Sequence, residues 1–382
     1  MILHLIGNDP KFPKMIREKY ESALPGHNTY VIIKNRECEE GRGGDGFYYV
    51  SNHQDLVSVL ACIKEIEAVV INGLLLRLFP YLRAIPSSVP WVYYLWGAEA
   101  YGNIMISIDS IYSPKTSRWL FSRWSRMKFL LQFLNPCYWS RALRVSCVAR
   151  NIGIAVFPIE EELKYFVNKR LLKPTVKIVY GNVGAGGDFS APYFRPRSLG
   201  TNILVGNSAD PANNHIDVFR WLLESGIKLE GRKIIVPLSY GGSPRYCQLV
   251  KDYGRDCFGE QFVPIEDFMP YDEYIETMHS CGTVFMGHLR QQGAGNITAA
   301  LAIGATVYLR TDSRLAIGLE RMGFYLKKYD LGNTLEDPEN ERLTAEQVCI
   351  NKTQAQIYFS KEKSRQTVLE LVSWMRSERK VH

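Results

Sequence analysis

Residues 181–196 read GNVGAGGDFSAPYFRP, and this stretch decides how the chain is divided. Gly and Pro punctuate regular structure, so the run is the best linker candidate in the sequence. On its N-terminal side, short apolar runs stand at Ile2–Ile6, Tyr30–Ile33, Ala68–Ile71, Trp91–Leu95, Ile154–Phe157 and Val176–Tyr180. Leu56–Ile66 lies between two of them with helical spacing. On its C-terminal side the alternation restarts. Ile203–Val205, Lys233–Pro237, Val284–Met286 and Thr306–Leu309 read as strands, and Ile216–Leu223, Tyr271–Cys281 and Ile297–Ile303 as helices. Strands that are apolar throughout belong to parallel sheets covered by helices on both faces. The expected fold is therefore α/β, two Rossmann-like domains facing a central cleft. The expected boundaries are 1–190 and 191–360. A charged helix in 361–382 is expected to pack back across the hinge.

Length and composition agree with two domains. The chain has 382 residues, of which 46% are hydrophobic and 22% charged, which argues against long disorder. No run of about 18 apolar residues is present, so no transmembrane helix is expected. The N-terminal MILHLIGNDP has neither a basic region nor a small-residue cleavage site, so no signal peptide is expected. The eight cysteines are scattered without a C-x-x-C, which fits reduced thiols better than zinc or disulfides.

The net charge of +7 is concentrated. From Ser110 to Ile159 there is no Asp or Glu, while the window holds Lys115, Arg118, Arg123, Arg126, Lys128, Arg141, Arg144 and Arg150. Trp119, Phe121, Trp124, Phe129 and Phe133 lie among them. Basic residues interleaved with Trp and Phe describe an interfacial membrane anchor, with charges at the headgroups and apolar stems beneath. A core helix with a basic rim has the same composition. Nucleic-acid binding fits less well, because the aromatics cluster with Leu instead of spreading along a groove. The expected membrane contacts are Trp119, Arg123, Trp124, Arg126 and Lys128 on an anionic surface.

Ligands of open α/β sheets sit beyond the carboxyl ends of the strands, which selects the loops to read. Gly7-Asn8-Asp9 and Trp96-Gly97-Ala98-Glu99 each put a carboxylate after a strand, so Asp9 and Glu99 are candidate general bases. A turn or a helix cap would use the same residues. In the second half, Gly206-Asn207-Ser208-Ala209-Asp210 is followed by Asn213, Asn214 and His215. Small residues ahead of a helix expose backbone N–H groups that hold phosphate. His288-Leu289-Arg290-Gln291-Gln292-Gly293-Ala294-Gly295-Asn296 again sets glycines before a helix. There Arg290 is placed to pair with a diphosphate, and Gln291 and Gln292 to bond a sugar or base. Tyr240-Gly241-Gly242 offers a ring for a nucleobase or a plain turn.

Two absences narrow the chemistry. In the Gly181–Gly187 cluster Phe189 occupies the last position of G-x-G-x-x-G, and no D-x-D is present. A metal-independent site without a cofactor is expected, with the diphosphate neutralised by helix N-termini and arginine.

The strings LVGNSAD with a following NNHI, VPLSYGG, RQQGAGNITAALAIGA and WGAEAY resemble the bacterial 4-acetamido-4,6-dideoxy-galactose (Fuc4NAc) transferases of enterobacterial common antigen assembly. The likeness is strongest over residues 201–310. At Glu99 this chain has Glu where the family pattern leads one to expect Asp. The resemblance implies a GT-B fold, a dTDP-sugar donor on the C-terminal domain, and an undecaprenyl-diphosphate-linked acceptor at the cytoplasmic face of the inner membrane. Two other functions remain open on the residues alone. A nucleotide-sugar epimerase would need no basic, aromatic segment. A non-catalytic, membrane-associated nucleotide-binding protein would need no acceptor-side carboxylate.

Overall fold

A computed structural model describes residues 1–7, 12–34, 41–42, 46–63, 65–73, 79–82, 84–85, 89–94, 111–121, 152–157, 159–168, 177–181, 187–195, 197–334 and 342–378. They form two compact units. The first gathers the described residues of 1–106, 130–186 and 359–378, and the second those of 107–129 and 187–358. The change at 186/187 falls inside the Gly/Pro stretch. Residues 111–121, which precede that stretch, pack with the second unit.

The first unit holds β1 (Ile2–Gly7), α1 (Phe12–Ala23), β2 (Asn28–Ile33), β3 (Gly41–Arg42), β4 (Tyr48–Val50), α2 (His53–Ala61), β5 (Ala68–Asn72), α3 (Phe79–Leu82) and β6 (Trp91–Tyr94). It continues, after α4 (Pro114–Leu120) of the second unit, with β7 (Ile152–Phe157), α5 (Glu160–Asn168) and β8 (Lys177–Tyr180). The sheet order is β3-β4-β2-β1-β5-β6-β7-β8, parallel except for the β3–β4 edge. β1 and β5 are buried along their whole length, which is why both are apolar runs. The C-terminal helix belongs to this unit. Its Val368, Leu371, Val372 and Met375 join Ile16 and Tyr20 of α1 in one core, and Arg376 reaches Glu67 at 3.2 Å.

The second unit holds β9 (Asn202–Val205), α6 (His215–Glu224), β10 (Ile234–Pro237), α7 (Pro244–Phe258), β11 (Phe262–Ile265), α8 (Tyr271–His279), β12 (Cys281–Met286), α9 (Ala294–Ile303), β13 (Thr306–Arg310), α10 (Arg314–Arg321), β14 (Lys327–Tyr329) and α11 (Ala345–Phe359). α12 (Lys361–Glu378) is the helix returned to the first unit. The sheet order is β11-β10-β9-β12-β13-β14, wholly parallel. Counted within the unit this is 3-2-1-4-5-6, the doubly wound order of a Rossmann-like domain. β9 pairs with β10 on one side and β12 on the other, so the connections reverse direction between β9 and β12. The loops after these two strands flank the crevice where such sheets bind ligands.

Candidate functional site

The loop after β9 turns at Gly206, whose φ is +72°. A Cβ there would lie 2.8 Å from His215 Nε2 and 3.2 Å from Asn213 Oδ1, so only glycine fits. Asn213, fully buried, braces the loop. Its Oδ1 accepts from Asn207 N at 3.2 Å, and its Nδ2 donates to the carbonyls of Ser208 at 3.0 Å and Asp210 at 3.1 Å. Asp210 in turn accepts from Ala212 N at 2.8 Å and caps a short 3-10 turn. The backbone of 206–210 is thus fixed before any ligand arrives.

The loop after β12 ends at Gly293, the N-cap of α9, with φ +62°. Glycine supplies no capping oxygen, so the first N–H groups of α9 remain available to an anion. A Cβ on Gly293 would lie 3.1 Å from Asn207 Oδ1 and 3.4 Å from His288 Nε2. The two loops therefore touch at Gly293. Arg290 Nη2 donates to Asp210 Oδ2 at 3.2 Å, a second link between them. Tyr240, after β10, accepts from Asn207 Nδ2 through its hydroxyl at 3.4 Å while the residue stays about half exposed.

Of the expected donor-side residues, Gly206, Asn207, Ser208, Tyr240, Arg290 and Gly293 thus form one cluster. Gly295 and Asn296 lie in the first turn of α9, and Gly295 faces open space. Gln291 and Gln292 are half-buried in the same loop. Asp9 and Glu99, with Arg123, Trp124, Arg126 and Lys128, lie outside the described residues. Trp119 is half-buried. Its ring meets Tyr246 edge-on at 5.9 Å, and the Arg245 guanidinium lies 5.2 Å above it.

Two residues that sequence reasoning did not assign stand beneath the glycines. His215 and His288 are fully buried, and burial pushes each pKa down to about 3. Both imidazoles are neutral at ordinary pH. His215 Nδ1 meets the Tyr246 hydroxyl at 3.2 Å. Its Nε2, both ring nitrogens of His288, and Asn207 Oδ1 have no hydrogen-bond partner among the described residues. A buried polar atom without a partner costs about 1–3 kcal/mol. Three of them, His215 Nε2, His288 Nε2 and Asn207 Oδ1, lie within 3.4 Å of the Cβ positions that Gly206 and Gly293 leave empty. The sequence signal was present in His215 and His288, which close the Asn-Asn-His string and open the Arg-Gln-Gln string. Among the described residues, no group of three or more His, Cys, Asp or Glu could hold a metal ion.

Residues 138–359 match the family described as 4-alpha-L-fucosyltransferase, glycosyl transferase group 56. That is more than half of the chain. The chain belongs to this family. As a member of glycosyl transferase group 56 it is a hexosyltransferase. Its match spans β9 through α11, and so every loop of the donor-side cluster. Solved structures of similar fold share its two α/β domains, the GT-B architecture expected from the sequence. Sucrose-phosphate synthase (tll1590) from Thermosynechococcus elongatus is 10% identical with a TM-score of 0.65, covering 99% of both chains. Anabaena Alr3699/HepE, solved with UDP and glucose, is 12% identical with a TM-score of 0.65, covering 98% of this chain and 99% of its own. S. aureus MnaA, solved with UDP, is 13% identical with a TM-score of 0.54, covering 98% of this chain and 96% of its own.

Proposed function

We propose that this group 56 enzyme transfers a deoxy-amino sugar, Fuc4NAc or a close relative, from a dTDP-sugar to an undecaprenyl-diphosphate-linked saccharide. The observation that carries the reading is the start of α9, which has no side-chain cap and whose Gly293 lies against Asn207, while Arg290 of the same loop pairs with Asp210 of the loop after β9. The solved HepE structure with UDP-glucose supports a nucleotide-sugar donor for this fold. The choice of dTDP, of Fuc4NAc and of the lipid acceptor rests on the resemblance of WGAEAY, LVGNSAD and RQQGAGNITAALAIGA to the Fuc4NAc transferases.

Gly206, Asn207 and Ser208 approach the diphosphate by backbone, and Arg290 with Gln291 and Gln292 contacts diphosphate or sugar. Tyr240 offers its ring to the base. Glu99 or Asp9 takes the proton of the acceptor hydroxyl. The freed oxygen bonds to the anomeric carbon as the bond from that carbon to the diphosphate breaks, and dTDP leaves with the electron pair. Negative charge grows on the leaving diphosphate at that moment. N–H groups and a guanidinium already aimed there stabilise the transition state more than the ground state. The basic residues Arg123, Arg126 and Lys128, with Trp119 and Trp124, hold the enzyme at the anionic cytoplasmic face of the inner membrane, where the acceptor resides. No described helix is long and apolar enough to span a bilayer.

Incubation with dTDP-Fuc4NAc, EDTA and synthetic undecaprenyl-diphosphate saccharides tests this directly, with mass spectrometry of the lipid product. Transfer that is slowed strongly by Glu99→Gln, with donor affinity kept, is the expected result. Transfer only from UDP-sugars would end the dTDP reading. Near-normal turnover in Glu99→Gln would leave Asp9 as the remaining base.

A further inference from the structure

Residues 111–121 lie in the chain between β6 and β7 of the first sheet, yet they pack on α6 in the second unit. They are fastened by buried side chains. Asn214 is the only non-glycine residue at positive φ among the described residues, at 52°. Its Oδ1 accepts from Ser113 N at 2.7 Å. Its Nδ2 stands among three carbonyls, Gly287 at 2.8 Å, Ala212 at 3.0 Å and Ile111 at 3.3 Å. Asp217, one turn on, accepts from Lys115 N at 3.1 Å, Thr116 N at 3.0 Å and Thr116 Oγ1 at 2.7 Å. This carboxylate therefore caps α4 from another helix. Arg310 donates to Ser113 Oγ, and its other nitrogens hold Asp312.

Tyr112 is the residue caught between the Ile111 and Ser113 bonds. The Asn214 that holds it adjoins Asn213, which braces Ser208 and Asp210, and Asp210 pairs with Arg290. The Tyr112 ring packs against Phe121 at 5.8 Å between centroids, and the Asp210 and Arg290 charges both act on its phenol. Burial raises its pKa, the Asp210 charge raises it further and the Arg290 charge lowers it. It stays protonated at neutral pH and carries a hydroxyl that can donate.

We infer that Tyr112 is a donor-site residue, presented beside Asp210 and Arg290 by a strap whose positioning residues are Asn214 and Asp217. Its hydroxyl donates to a diphosphate oxygen of the nucleotide. The strap fixes the backbone of Tyr112 in advance, so the ordering cost is not charged against ligand binding. The inference rests on the second unit being a nucleotide-sugar site.

Calorimetry with dTDP and UDP, on wild type, Tyr112→Phe, Tyr112→Ala and Asp217→Asn, tests it alongside thermal melting and hydrogen exchange of residues 111–121. Loss of one hydroxyl contact in Tyr112→Phe should weaken the preferred nucleotide about threefold to tenfold, and Tyr112→Ala by about tenfold or more. Asp217→Asn should raise exchange across 111–121 and weaken nucleotide binding while the folded protein persists at the assay temperature. Should that variant not fold, Ser113→Ala removes the Arg310 bond alone and is expected to do the same more mildly. A merely structural role would lower the melting temperature and leave affinity unchanged, which overturns the inference. Wild-type affinity in both Tyr112 variants overturns it too. If wild type binds neither nucleotide, the reading of the site falls and takes the inference with it.

Discussion

Arg290 Nη2 and Asp210 Oδ2 stand 3.2 Å apart, so the guanidinium that follows β12 is held by the carboxylate that follows β9. The guanidinium is almost fully buried and the carboxylate partly open. On the proposed function, a diphosphate bound between these loops competes with Asp210 for Arg290.

Asp210→Asn separates these effects. The amide keeps an oxygen for the Ala212 cap but removes the competing charge. dTDP should bind about threefold to tenfold tighter, since a charge contact of this kind is worth about 1 kcal/mol. Weaker binding in calorimetry would mean that Asp210 serves mainly to aim Arg290.

Gly293→Ala tests the contact between the loops. The new methyl would sit 3.1 Å from the Asn207 carboxamide in a left-handed backbone. The strain is about 1–2 kcal/mol. Donor affinity should fall by more than that figure implies for stability, because Asn207 is displaced and the first N–H groups of α9 are covered. A variant with reduced melting temperature and unchanged dTDP affinity would exclude Gly293 from the site.

Acid should weaken the fold early. His4, His215 and His288 are fully buried, and burial holds each pKa near about 3 against 6.5 when unfolded. Between those values the unfolded chain binds more protons than the native one. Their contribution to stability is complete above pH 6.5 and is lost as pH falls toward 3, by about 1.4 kcal/mol per pH unit for each histidine. Melting temperature should drop steadily below pH 6.5, and His288→Asn should flatten the slope by about a third on this reckoning. A level profile from pH 6.5 to 4.5 would contradict the neutral, buried assignment.

Membrane contact is tested by replacing Arg123, Arg126 and Lys128 with Ser together. Each basic residue near an anionic leaflet contributes about 1 kcal/mol, so the triple variant should leave anionic liposomes about a hundredfold more readily. Unaltered co-sedimentation would remove those three residues from the interface. Trp119, packed against Tyr246, is expected to matter less than Trp124.

The sheets were legible because parallel strands buried on both faces are apolar throughout, as Ile203–Val205 and Ala68–Ile71 are. Strands of three or four residues at or beside the sheet edges were not: Tyr48–Val50, Phe262–Ile265 and Lys327–Tyr329 are too short to carry a period. Nor was α7, whose PRYCQLVKDYGRDCF buries only Tyr246, Val250, Gly254 and Phe258 along one narrow stripe. On the donor side, Gly206 and Gly293 were visible as glycines before helices, because their backbone demands no side chain. The partners that give them meaning, Asn213, His215 and His288, were present in the strings without a sign of their burial. The docking of residues 111–121 was hidden for a different reason. Asp217 and Asn214 bind backbone groups some hundred positions away, and backbone groups leave no mark on sequence.

The central claim is a metal-independent nucleotide-sugar site at the start of α9. Calorimetric titration of wild type and Arg290→Ala with dTDP and UDP, in EDTA, tests it most directly. Wild type is expected to bind dTDP tightly and UDP more weakly, and Arg290→Ala to lose at least about tenfold, as removal of one charge-assisted contact implies. Equal affinity in the two proteins, or no binding by wild type without added metal, would contradict it.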